Sequence, residues 1–258
     1  MAAALLEAGA DACAADVNGL TAVHVAAQHA PVSVLRALLA AGGSATAAQA
    51  DGATPLHWAA LAPCGAAARV AMLVAAGAAV NAAIGAPRRA GETPLHAAAE
   101  SGSIEAVQSL LERGALVDAR ANVDGLTNAT PLHAAAARPS EEAIVRHLLR
   151  AGADVRATAT VVPVRDPRAR WGEVDRGGAG YSCLHITSSV VVARTLIKAG
   201  ADVRAVAPGP NEGFTCYKVR RVCEDARREA LAATPPVGVA VVLLSSCVRA
   251  AARGTASS

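Results

Sequence analysis

The chain has 258 residues, a formal net charge of +3, 53% apolar residues with alanine prominent among them, and only 2% aromatics. Six scattered cysteines form no Cys-x-x-Cys pair, which leaves no basis for a zinc ribbon or dithiol motif, and the apolar run at residues 237–248 is well short of the ~20 residues that cross a bilayer. Charge is uneven: residues 1–203 hold 16 Lys/Arg against 17 Asp/Glu, residues 204–258 hold 8 against 4, so the tail reads either as a solvated basic face or as a contact for an acidic partner or nucleic acid.

The chain opens on Leu5-Leu6-Glu-Ala-Gly9-Ala-Asp11, the end of a helix with no partner helix before it. Residues 1–15 are therefore expected to be a partial repeat, either a half-repeat cap or the start of a fragment. Residues 1–15 also make a poor signal peptide, because Glu7 and Asp11 stand there without a basic segment. Reduced thiols fit an intracellular chain, cytoplasmic or nuclear.

A frame then recurs: Thr21-Ala-Val-His24, Thr54-Pro-Leu-His57, Thr93-Pro-Leu-His96, Thr130-Pro-Leu-His133, Ser182-Cys-Leu-His185, and a degraded Thr215-Cys-Tyr-Lys218. The leading hydroxyl residues are 33, 39, 37, 52 and 33 residues apart. A period near 33 marks a stacked array.

The cleanest unit is Gly91 to Ala119. Thr93-Pro94 is a helix start, with the hydroxyl as N-cap and proline at the first helical position. Leu95, Ala98 and Ala99 share one face, and Gly102 ends that helix. Ile104, Val107, Leu110 and Leu111 make the apolar stripe of a second helix. Gly114 then supplies a left-handed end. Each unit is thus helix, turn, helix and a connecting finger.

The frame Gly-x-Thr-Pro-Leu-His-x-Ala-Ala, a following Leu-Leu pair and Gly-Ala resembles the ankyrin repeat family. It is clearest at Gly52–Ala60 and Gly91–Ala99, with helix-ending glycines Gly42, Gly77, Gly114, Gly152 and Gly200. The resemblance covers nearly all of residues 1–205. It implies an all-α solenoid of about five repeats plus partial terminal units, with repeats near 16–48, 49–82, 88–119, 125–156 and 178–206. It also implies that the frame histidines are structural, linking neighbouring repeats, and neither metal ligands nor catalytic groups.

The array departs from its pattern in three fingers. Residues 82–90 and 119–129 lengthen two of them. Residues 157–180 form a longer insertion, with Pro163, Pro167 and no helical period, that reads as a loop. Its Trp171 stands among Arg165, Arg168, Arg170 and Arg176, either as a partner anchor or as a side chain tucked against the array. Repeat 5 is short, with its turn expected at Ser188, Ser189 and Val190. Residues 207–258 read as a degenerate repeat and capping helices.

No Gly-rich phosphate loop, His-Glu-x-x-His motif or nucleophile elbow is present. The expectation is a non-catalytic scaffold, without cofactor or metal, that binds a partner protein or peptide in the concave groove and is otherwise monomeric. The alternative is a fragment of a larger protein, an enzyme or ubiquitin-ligase subunit, whose activity lies elsewhere. Groove positions implied by the resemblance are Asn18, Leu20, Gln28, His29, Asp51, Leu61, Arg89, Glu92, Glu100, Ser101, Arg138, Tyr181, Glu212 and Phe214, with Trp58 and Trp171 as further candidates. They carry no single-sign stripe, which argues against a phosphate backbone as the main ligand. The best-formed groove is expected between His57 and His133, where the frame is intact. Val80-Asn81 resembles the site that asparagine hydroxylases modify in ankyrin repeats, except that Ala79 replaces the usual acid.

Overall fold

Thr-Pro at a helix start and Gly at a helix end divide this chain into helix pairs. The computed structural model describes residues 7–123, 125–138, 142–161, 180–187 and 189–202. Within them lie ten α-helices in five pairs: α1 (Ala22–His29) with α2 (Val32–Ala40), α3 (Pro55–Ala60) with α4 (Ala66–Ala75), α5 (Pro94–Ser101) with α6 (Ile104–Glu112), α7 (Pro131–Ala136) with α8 (Glu142–Arg150), and α9 (Cys183–Ile186) with α10 (Val190–Lys198). The first helix of each pair stacks on the first helix of the next, and the second on the second. Two layers result, an inner row and an outer row, and the core lies between them.

That core is built from few large side chains. Leu35, Leu56, Leu73, Leu95, Leu110, Leu132, Ile144, Leu148 and Leu196 are fully buried, each contributing roughly 1.5–3 kcal/mol relative to exposure. Between them Ala59, Ala60, Ala98, Ala99, Ala135 and Ala136 are also sealed from solvent. Alanine lets neighbouring inner helices approach closely. In α6 the buried stripe is Ala106, Val107 and Leu110, while Ile104 is 38% exposed and Leu111 half-buried. The stripe is thus centred one residue away from the sequence expectation.

The outer helices end alike. After α6, Gly114 sits at φ 83° with open space around it. Its N–H donates to Leu111 O and the Ala115 N–H to Leu110 O, the paired bonds of a Schellman cap. The same bonds recur at Gly42, Gly77, Gly152 and Gly200.

An all-α reading is too simple for the fingers. Residues β1 (Ala121–Val123), β2 (Leu126–Ala129), β3 (Thr158–Val161) and β4 (Tyr181–Ser182) form a four-stranded antiparallel sheet in that order. The 119–129 insertion is a hairpin with a register shift and Asn128 at φ 57°. The start of the 157–180 insertion is strand β3 rather than open loop, paired with β4 just past the insertion's end, Ala159 opposite Tyr181. In repeat 5, Ser189 caps α10 by accepting the Val192 N–H, close to the turn expected there.

Candidate functional site

The frame histidines are built into the starts of the inner helices. At α5, the Thr93 backbone N–H and hydroxyl both reach Nδ1 of His96, at 3.3 and 2.9 Å. Histidine thus closes a capping box in the place where Glu or Gln is usual. Nε2 of His96 lies 3.2 Å from the carbonyl oxygen of Ala129. A carbonyl can only accept, so the proton is on Nε2, and Nδ1 is a bare acceptor. The threonine hydroxyl therefore donates to the ring.

The arrangement repeats along the array. His24 donates to Ala53 O at 3.3 Å, His57 to Glu92 O at 3.1 Å and His133 to Tyr181 O at 3.2 Å. Each acceptor is the residue just before the next frame hydroxyl. Burial lowers His57, His96 and His133 from 6.5 to about 4, and lowers His24 in the same direction. These four rings are neutral links between repeats. Among the described residues no three His, Cys, Asp or Glu side chains converge on a site that could hold a metal ion. His147, on the outer helix α8, has the opposite tautomer: Nδ1–H donates to Ala143 O at 2.7 Å, and Nε2 faces the Gln108 amide at 2.6 Å.

Two further ladders run parallel to the histidines. After the outer helices, Asn81 donates to Gly114 O at 3.2 Å and accepts the Leu116 N–H at 2.8 Å; Asp118 accepts the Asp154 N–H at 3.0 Å, and Cys13 Sγ reaches Gly42 O at 3.1 Å. Asn81 is thus engaged in joining repeats. The ladder is hard to see in sequence because Cys13, Asn81 and Asp118 share a position but no residue type. The third ladder joins successive fingers: Ala50 N–H to Asn18 O, Gly85 N–H to Asp51 O, Asn122 N–H to Ala90 O, then the sheet. Close approach makes glycine necessary here. A Cβ at Gly91, which has φ 81°, would lie 2.5 Å from Arg120 O.

Between the finger ladder and the inner helices lies the face expected to bind a partner. Trp58 marks it: its Nε1–H points to Gln49 Oε1 in the second finger, at 3.4 Å, and its ring meets His24 edge-on at 6.2 Å. Asn18, His29 and Arg138 are exposed; Leu20, Gln28, Asp51, Trp58, Leu61, Arg89, Glu100 and Tyr181 are partly buried. Arg138 pairs with Glu100 across one repeat at 3.3 Å. Ser101 is exposed, yet its hydroxyl donates to Ala60 O of the preceding repeat at 2.9 Å. Tyr181 has its carbonyl committed to His133 and its ring edge-on to His185.

Glu92 differs from expectation. It is 1% exposed, because Arg89 three residues earlier folds over it in a bidentate ion pair. That bond raises the Arg89 pKa. Glu92 is a buried counter-ion and its surface position is lost. Trp171, Glu212 and Phe214 lie outside the described residues.

Accessibility along the face also differs from expectation. The position after the frame histidine holds Val25, 43% exposed, and half-buried Trp58 in the first two repeats; in the next two it holds Ala97 and Ala134, at 0% and 4%. In repeat 5 it holds partly buried Ile186, so among repeats 1 to 4 the large accessible side chains on this row belong to the first two. Of the two, Trp58 falls within the stretch between His57 and His133 where the frame is intact, and Val25 falls before it.

Among the described residues no helix is long and apolar enough to cross a membrane. Comparison with curated proteins finds no match. The family model for ankyrin repeats, in three copies, matches residues 1–84 and 70–159.

Proposed function

The chain belongs to the ankyrin repeat family, and on that premise we propose that it is a non-catalytic scaffold or adaptor that holds a partner protein against the finger side of its inner helices. Ankyrin repeats are protein–protein interaction modules. The observation that carries the reading is the set of three ladders. They hold successive repeats in register at the fingers and at the inner-helix starts, with Asn81 and Asp118 adding links behind the outer helices, so the side chains between them stand at fixed spacing. Fixed spacing lowers the ordering cost of binding. The face mixes amide, acid, base and apolar groups, which suits a protein surface.

A comparison of faces tests this. The full chain, tagged, is used to capture partners from cell extract, alongside four finger-side variants (Gln28→Arg, Leu61→Glu, Glu100→Arg, Arg138→Glu) and two outer-helix variants (Glu105→Arg, Arg150→Glu). Loss of the same captured proteins in finger-side variants alone supports the reading. Capture that survives all four finger-side changes and fails with the outer-helix pair overturns it.

A further inference from the structure

Resting on that reading of the finger side, we infer that repeats 1 and 2 form an anchor site for a peptide segment that presents an aliphatic or aromatic side chain next to a Lys or Arg. Three observations meet there. The first is apolar accessibility. Val25 is exposed, Trp58 and Leu61 are half-buried in the next repeat, and Leu20 on the first finger is partly exposed. Trp58 is held by Gln49 and the edge of His24, so its ring is fixed before anything binds. A rigid aromatic with little entropy left to lose is the usual centre of a binding hot spot.

The second is charge. Residues 7–86 contain four acids, Glu7, Asp11, Asp16 and Asp51, and two bases, Arg36 and Arg69. Arg69 is buried, gripping the carbonyls of Ala30 and Cys64, and Arg36 lies on the outer helix α2. Asp16 and Asp51 belong to the first two fingers, so the finger side there is acidic; Arg89 of the third finger also feels the Asp51 charge, but its guanidinium is bound to Glu92. Each uses its Oδ1 to cap its own turn: Asp16 accepts from Asn18 and Leu20, Asp51 from Ala53. The carboxylates are thereby fixed in place. Basic side chains begin only at Arg88 and Arg89 in the third finger.

The third is contrast with the neighbours. In repeats 3 and 4 the matching row is buried alanine, and the flanking charges Glu100 and Arg138 pair with each other. That half offers no apolar anchor on this row, and its exposed finger bases Arg88 and Arg120 repel a basic segment. A basic, apolar segment complements the first half of the face and not the second.

Random twelve-residue peptides displayed on phage, selected on the full chain at low salt, test the inference. The expected outcome is enrichment of Leu, Ile, Phe or Trp within two residues of Lys or Arg. A synthetic selected peptide should lose about tenfold in affinity with Val25→Arg or Trp58→Ala. Asp51→Asn keeps the Oδ1 that caps the turn and should weaken binding severalfold, as should raised salt. Glu105→Gln and Arg150→Gln, on the outer helices, should change little. Val25 is exposed, so its variant reads binding even if Trp58→Ala fails to fold. Acidic or uncharged selected peptides, no enrichment, or sensitivity centred on Glu100 and Arg138 overturns the inference and leaves the finger-side function standing. Sensitivity only to Glu105→Arg and Arg150→Glu overturns both.

Discussion

Nε2 of His96 sits 3.2 Å from the carbonyl oxygen of Ala129, which immediately precedes the next frame threonine. The same ring accepts at Nδ1 from both donors of Thr93. One imidazole therefore closes the cap of its own helix and ties that helix to the next repeat. A second proton has nowhere to go, because Nδ1 already faces a backbone N–H.

Acid should therefore loosen the array. His57, His96 and His133 are held at about 4 in the fold, against 6.5 when unfolded. Between those values the unfolded chain binds more protons, so stability is fully present above pH 6.5 and is lost as pH falls towards 4. Each ring contributes a slope of up to about 1.4 kcal/mol per pH unit in that window. Urea midpoints measured from pH 7.5 to 4.5 should fall, and His96→Gln should flatten the slope by about one proton. An unchanged midpoint down to pH 5 would contradict the neutral column.

Leu110→Ala should destabilise by about 2–5 kcal/mol, since the residue is fully buried between α6 and its neighbours. Ile104→Ala, on the exposed shoulder of the same helix, should cost less than about 1 kcal/mol. Thermal unfolding of the two variants separates the true stripe from the one expected in sequence.

Thr93→Ala removes one donor to His96 and the side chain of the cap, and should cost roughly 1 kcal/mol. Thr93→Ser keeps the hydroxyl and should retain most of the stability. Equal losses in both variants, read by chemical denaturation, would mean that the hydroxyl contact to the ring is idle.

Two glycines with nearly the same backbone should respond differently. Gly114→Ala meets open space at φ 83°, and only the left-handed conformation opposes it, at about 1–2 kcal/mol. Gly91→Ala adds a Cβ 2.5 Å from Arg120 O to a similar φ of 81°. It should cost more than Gly114→Ala and raise hydrogen exchange at the Asn122 N–H, which bonds to Ala90 O. Exchange unchanged at Asn122 would show that the finger ladder does not depend on that close approach.

The local parts of this architecture were legible in the sequence. Thr93-Pro94, Gly102 and Gly114 act within one turn of themselves, so helix starts and ends follow from neighbouring residues. The finger sheet was not legible. Thr127 finds Thr160, and Ala159 finds Tyr181, across long stretches of chain, and strands of two to four residues are too short to show alternation. The site was legible as a face but not as a distribution. Glu92 sits beside a frame glycine like other surface positions, and only the fold of Arg89 over it makes it a buried counter-ion. Val25 and Ala97 occupy one register, yet their exposures are 43% and 0%. That difference depends on what packs above each, which a single repeat does not encode.

The most direct test of the histidine column is nitrogen NMR on the full chain with labelled histidine, recorded at pH 6 with and without added zinc. His57, His96 and His133 should be neutral, protonated at Nε2, bare at Nδ1 and unmoved by zinc. Imidazolium forms at pH 6, the opposite tautomer, or zinc-dependent shifts at these rings would contradict it.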